Sequence, residues 1–88
     1  MKIRDGFVVK ELAGQYVVVA LGQASKIFNG IIKLNDSAKF IWEKLAVGAE
    51  KEDVIHALLE EYESVDRETA EKDFDKFVNE LKGANILE

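Results

Sequence analysis

The sequence predicts an α+β domain in which a three-stranded antiparallel sheet is followed by three helices. The hydrophobic period changes once, near residue 35, from segments rich in strand formers to apolar stripes with helical spacing. Strands that all precede the helices are typical of α+β folds with the helices on one side of the sheet. The 88 residues fit one domain and contain no long interior linker, so residues 1–88 are expected to form a single unit.

Three strands are predicted before residue 35. Two runs rich in β-branched residues flank the two-residue turn Ala13-Gly14, which favours a hairpin. The second run is continuously apolar and is therefore expected to be central in the sheet. The predicted segments are strands over residues 7–12, 15–21 and 31–34, a loop over residues 22–26, and a turn or bulge at Phe28-Asn29-Gly30.

Three helices are predicted after residue 35. Asn35, Asp36 and Ser37 can accept hydrogen bonds from first-turn N–H groups, so a helix should begin there and end at Gly48. The second helix is predicted over residues 51–62. The third should follow Asp66 as N-cap, with Gly83 just past its end. The residues predicted to face the core are Ala38, Ile41, Trp42 and Leu45; Val54, Ile55, Leu58, Leu59 and Tyr62; Ala70, Phe74, Phe77, Val78 and Leu81; and Ile86 and Leu87.

The charge balance disfavours polyanionic partners. Twelve Lys and Arg are interleaved with 17 Asp and Glu, for a net charge of −5. Binding to DNA or to an anionic membrane needs basic residues gathered on one face. Cysteine is absent, which excludes disulfides and thiol chemistry, and no apolar run has the length of a signal or membrane-spanning segment. The protein is therefore expected to be soluble and cytoplasmic, with no nucleic acid or membrane as partner.

No pattern in the sequence indicates catalysis. The single histidine, His56, falls opposite the apolar stripe of the second helix and should be exposed. Paired carboxylates such as Glu60-Glu61 lie on predicted polar helix faces, whereas acid–base catalysis needs two carboxyls in different environments within a pocket. No glycine-rich phosphate loop occurs. We expect no enzyme activity, no metal site and no cofactor.

The third strand is predicted to lie at an edge of the sheet, and this edge supports two interpretations. A sheet edge has unpaired N–H and C=O groups that attract another strand, although a short edge with a lysine can be protected. Alternatively, an extended peptide pairs with this edge and places alternate side chains in pockets. Periodicity alone does not separate the two interpretations.

A longer run of residues bears on this choice. Residues 28–42, Phe28-Asn29-Gly30-Ile31-Ile32-Lys33-Leu34-Asn35-Asp36-Ser37-Ala38-Lys39-Phe40-Ile41-Trp42, together with the opening Gly6-Phe7-Val8-Val9 and the closing Ala84-Asn85-Ile86-Leu87, resemble the PqqD-like family, named for pyrroloquinoline quinone biosynthesis protein D. The resemblance covers nearly the whole chain. At Ser37-Ala38 the family often has a hydroxyl residue followed by glycine, and alanine should be tolerated there inside a helix.

The resemblance implies a winged-helix-like fold and a role in peptide recognition. Members of the family bind the leader of a ribosomally synthesised precursor peptide and deliver it to a modifying enzyme, commonly a radical S-adenosylmethionine enzyme. The leader would lie between the third strand and the third helix. The binding residues that the resemblance implies are Ile31, Ile32, Lys33, Leu34, Ala70, Phe74, Phe77 and Val78.

Two other classes of function stay open at this stage, a winged-helix DNA-binding protein and a subunit that only scaffolds a modifying enzyme. The first is disfavoured because the basic residues of the third helix alternate with acids. A homodimer formed through an exposed edge strand, or through a loop such as residues 22–30, is left open as well.

Overall fold

The computed structural model describes residues 1–26, 28 and 30–88, and its elements follow the predicted order. The predicted turn at Phe28-Asn29-Gly30 includes Asn29, which lies outside the described residues. A three-stranded antiparallel sheet packs against three helices, as predicted. The elements are β1 (Phe7–Leu12), β2 (Gln15–Ala20), β3 (Ile32–Leu34), α1 (Asp36–Val47), α2 (Lys51–Glu61) and α3 (Arg67–Gly83).

The sheet has the order β1-β2-β3, which confirms β2 as the central strand and β3 as an edge. The β1–β2 hairpin turns at Ala13 and Gly14, whose φ angles are 52° and 80°. Two consecutive positive φ angles define the type I′ turn that matches the twist of a hairpin. Val17 and Val18 are 5% and 0% exposed, so the centre of β2 is covered on both faces.

The core lies between one face of the sheet and the helices. The predicted stripes of α1, α2 and α3 supply most of it, and Trp42 is 5% exposed within it, as predicted for a core anchor. Both Ile86 and Leu87 pack there as well. Ile3 forms a β-bridge with Leu87, which joins the two ends of the chain.

Two local predictions were wrong. Residues 22–26 form a short 3₁₀ helix rather than a loop, because Ala24 is buried in the core and the Ser25 hydroxyl donates to the Gly22 carbonyl at 2.7 Å. Gly83 is the last residue of α3, and Asn85 (φ 60°) takes the left-handed position predicted for it. The N–H of Ile86 donates to the Leu81 carbonyl at 2.9 Å and completes a Schellman motif.

Gly6 occupies a position that other residues cannot fill. Its φ is +94°, and a Cβ atom there would lie 2.8 Å from the Cβ of Ala24 and 3.1 Å from the Leu21 carbonyl oxygen. By contrast, Gly14 also has a positive φ, +80°, but a Cβ there would meet nothing within 4 Å.

Gly6→Ala should therefore destabilise the protein more than Gly14→Ala. Both variants incur strain of about 1–3 kcal/mol from the left-handed backbone. Only Gly6→Ala adds a steric clash, between the new Cβ atom and Ala24 of the 3₁₀ helix. Urea denaturation of the two variants measures the difference, and equal midpoints would contradict this account of Gly6.

No helix in the described ranges has the length and apolar character needed to cross a membrane.

Candidate functional site

The edge strand β3 runs almost directly into α1. Asn35 alone separates them and caps the helix: its side-chain oxygen accepts the Ala38 N–H at 2.8 Å and the Ser37 hydroxyl at 3.1 Å. Such a cap stabilises a helix by about 1 kcal/mol. Strand edge and helix start consequently form one continuous wall.

The opposite wall is α3. Its N-cap, Asp66, accepts the Thr69 N–H at 2.8 Å, and this bond holds the pKa of the Asp66 carboxyl below its usual value. All five residues of the predicted stripe are buried against the core. Phe77 is 6% exposed and stands at the margin of that stripe. Three exposed polar residues around Phe77, namely Asp73, Lys76 and Glu80, project from the same side of α3.

A groove of about 240 Å3 separates these two walls. Among the described residues β3 pairs with β2 alone, so its other edge is open on this side of the sheet. The groove therefore places an open strand edge beside a helix with one aromatic ring and several charges. Its lining residues are Lys33, Asn35, Ser37 and Ala38 from one wall, and Asp73, Lys76, Phe77 and Glu80 from the other.

The charges of this groove differ from those on the surface of α3 beside α2. On the helix surface beside α2, Lys51 contacts Asp75 at 3.0 Å, and Arg67 contacts both Glu71 at 3.2 Å and Glu52. Within the described part of the chain, none of the four charged groove residues takes part in an ion pair. Two lysines and two acids are thus available to a ligand from both walls.

The residues that the resemblance implied have different positions around this groove. Lys33 and Phe77 line it. Ile31, just before β3, is 66% exposed. The remaining five are 1–7% exposed and belong to the core, so their side chains support the walls: Ile32, Leu34, Ala70, Phe74 and Val78. Ile32 and Leu34 still contribute backbone groups to the strand edge.

Six groove residues were not anticipated from the sequence. The three polar residues of α3 recur at intervals of three and four positions beside Phe77, which places them on one side of the helix. That spacing was the available signal, but the acids and lysines of this helix were interpreted as a solvated face. The six are Asn35, Ser37, Ala38, Asp73, Lys76 and Glu80.

Outside the groove, His56 is exposed, as predicted, and its Nδ1 lies 3.7 Å from a carboxylate oxygen of Glu60. In the described ranges, no cluster of three or more His, Asp or Glu side chains could hold a metal ion.

Fold and groove together define a small α+β domain with an open edge strand facing a helix. The chain belongs to the PqqD family, since the family model described as "Coenzyme PQQ synthesis protein D (PqqD)" matches residues 15–87. None of the curated proteins compared with the chain matches it.

Two solved structures are similar over nearly the whole chain. TbiB1 in complex with the TbiA(beta) leader peptide is 31% identical, with a TM-score of 0.76, and the match covers 100% of this chain and 95% of that one. Lasso peptide synthetase B1 complexed with the leader peptide is 28% identical, with a TM-score of 0.73, over 97% and 93% of the two chains.

Proposed function

We propose that this chain binds the leader of a ribosomally synthesised precursor peptide as an added strand on β3 and presents it to a modifying enzyme. The observation that carries the proposal is the free edge of β3, which faces Phe77 and unpaired charges across the groove. The two similar structures, both leader-peptide complexes, support it. The role is non-catalytic, and a radical S-adenosylmethionine enzyme is the partner that the family resemblance favours.

Strand addition would divide the leader's side chains into two sets. Alternate residues of a strand point to opposite faces, so every second leader residue would face α3 and the others would face away from it. An apolar residue suits Phe77, and residues of either charge can pair with the groove lysines and acids. Each backbone hydrogen bond would contribute about 0.5–1.5 kcal/mol. After the cost of ordering a flexible leader, affinity near 1 μM, about −8 kcal/mol, is expected.

Methylation of the leader backbone tests strand addition without altering the protein. A fluorescent leader from the precursor gene beside this chain's gene is titrated, and each amide is N-methylated in turn. Methylation at alternate positions should remove one hydrogen bond each, and so weaken binding by about 2- to 13-fold. Anisotropy measures the affinity. If every position tolerates methylation equally, or the unmodified leader does not bind the folded protein, the proposal fails.

Binding to nucleic acid is the weaker alternative. The exposed surface of α3 presents Lys76 next to Asp73 and Glu80, so a phosphate backbone would meet acids wherever it met a lysine.

A further inference from the structure

The face of the sheet that points away from the helices has an unusual composition. Alternation along the strands directs Val9, Val18 and Ile32 to the core and the intervening residues outward. A single-layer antiparallel sheet normally turns polar residues to this side. Instead, the outward positions of the paired strands include Val8 opposite Val19, and Val17 between Lys10 and Lys33.

Exposed apolar side chains extend this face at its ends. Leu12 is an outward-facing residue of β1. Leu21 directly follows β2 and Ile31 directly precedes β3, and the alternation of each strand continued by one residue directs both side chains outward. The three side chains are 55%, 49% and 66% exposed. We call the outward-facing residues the outer sheet face: Val8, Lys10, Leu12, Gln15, Val17, Val19, Leu21, Ile31 and Lys33.

Val17 shows that this face is separate from the core. It is 5% exposed, yet it is not a member of the core cluster. Its cross-strand neighbours are Lys10 and Lys33, whose aliphatic stems can cover a valine while the ammonium groups stay in water. The outer sheet face thus combines apolar side chains with two positive charges, of which Lys33 also lines the leader groove.

Charge is distributed unevenly between the two halves of the molecule. Residues 1–34, which contain the whole sheet, have five Lys or Arg and two Asp or Glu, a net charge of +3. Residues 35–88, which form the helices, have seven Lys or Arg and fifteen Asp or Glu, a net charge of −8. An acidic partner is therefore attracted to the sheet side and repelled from the helical side.

We propose that the outer sheet face docks the modifying enzyme through a surface on that enzyme with an apolar centre and an acidic rim. This inference rests on the proposed function. A leader strand added to β3 would become a fourth strand of the sheet, and every second leader side chain would lie on the outer sheet face. The enzyme would contact one composite surface of chain and leader, and bound leader should strengthen its association.

A second copy of this chain fits the face less well. In a two-fold dimer the same patch meets itself, so Lys10 and Lys33 of one copy would approach the lysines of the other. A head-to-tail contact between the sheet and the acidic helices would satisfy the charges, but it would generate rings or filaments rather than a two-fold dimer.

Two variants of the outer sheet face test the docking. Lys10→Glu reverses a charge outside the leader groove, and the double variant Leu12→Ser/Leu21→Ser removes exposed apolar area. Lys72→Glu and Val47→Ser are matched controls, since both side chains are exposed and lie on helices. The probe is the purified modifying enzyme encoded beside this chain's gene, titrated onto the labelled protein with and without leader.

Both outer-face variants should bind the enzyme at least tenfold more weakly than the wild type, while the enzyme affinity of the two controls stays within twofold of the wild-type value. The leader affinity of all four variants should also stay within twofold of the wild-type value. Leader should tighten enzyme binding to the wild type, and added salt should weaken it. Unchanged enzyme affinity of both variants, or equal losses in the controls, would overturn the inference. So would sedimentation showing a wild-type dimer that Lys10→Glu dissociates. Failure of the leader to bind would instead overturn the proposed function.

Discussion

Ala38→Phe is expected to weaken leader binding by at least about tenfold, which corresponds to 1.4 kcal/mol. Ala38 lies in the first turn of α1 and lines the groove opposite Phe77. A rigid ring at this position would fill space that an added strand needs beside β3. Loss of two or three strand hydrogen bonds, at about 0.5–1.5 kcal/mol each, accounts for the expected effect.

Ala46→Phe is the matched control for this experiment. Ala46 belongs to the same helix, is exposed, and does not line the groove. The control should bind leader like the wild type when both are measured by fluorescence anisotropy. Circular dichroism establishes that each variant is folded. Equal leader affinities of the two folded variants would show that the peptide binds elsewhere.

Phe74→Ala should have the largest effect on stability. Phe74 is 1% exposed and is the largest of the fully buried side chains in the described residues, at the middle of α3. Removal of a buried phenylalanine costs about 3–5 kcal/mol, through lost transfer free energy and the cavity left behind. A domain of this length has a free energy of unfolding of roughly 4–13 kcal/mol, so the variant should be marginally stable.

Urea denaturation followed by circular dichroism measures this loss directly. Val47→Ala provides the comparison, because Val47 is 81% exposed and its truncation should change stability by less than about 0.5 kcal/mol. The midpoint temperature of thermal unfolding should fall by more than about 12 °C for Phe74→Ala. A loss below 1 kcal/mol would mean that α3 contributes far less to the core than its burial indicates.

The periodic parts of the fold could be predicted from the sequence. Five apolar residues of α3 recur at intervals of three and four, and all five are buried. The β1–β2 hairpin could also be predicted, since Ala13-Gly14 between two strand-forming runs favours a two-residue turn. Asn35 and Asp66 cap their helices as predicted, because a short polar side chain at this position accepts a hydrogen bond from a first-turn N–H group.

The end of α3 was mispredicted because two residues near its C-terminus, Gly83 and Asn85, can both act as the left-handed cap residue. Gly83 and Asn85 each tolerate the left-handed conformation. The choice between them follows from Ile86, which is buried at 0% exposure and needs the helix to continue through Gly83 to reach the core. That requirement is tertiary, and no local pattern contains it.

The groove was predicted only in outline, for a related reason. Periodicity separates the buried side of a helix from its exposed side, but it does not say which exposed residues face another element. Asp73 and Asp75 are both exposed acids two positions apart. Asp73 lines the groove, whereas Asp75 pairs with Lys51 of α2. The difference is set by the position of α3 between the groove and α2.

The pairing of the two chain ends also sets the time at which this fold can be completed during synthesis. The Arg4 N–H donates to the Ile86 carbonyl at 2.8 Å, and the Glu88 N–H donates to the Lys2 carbonyl at 2.9 Å. A ribosome adds about 5–20 residues per second, so residues 2–4 wait roughly 4–17 seconds for their partners to be made. For most of that interval α3 is incomplete as well, so the apolar core that it shares with the sheet and the first two helices is not yet closed. Residues 2–4 therefore pair with residues 86–88 only after the helices between them have been synthesised.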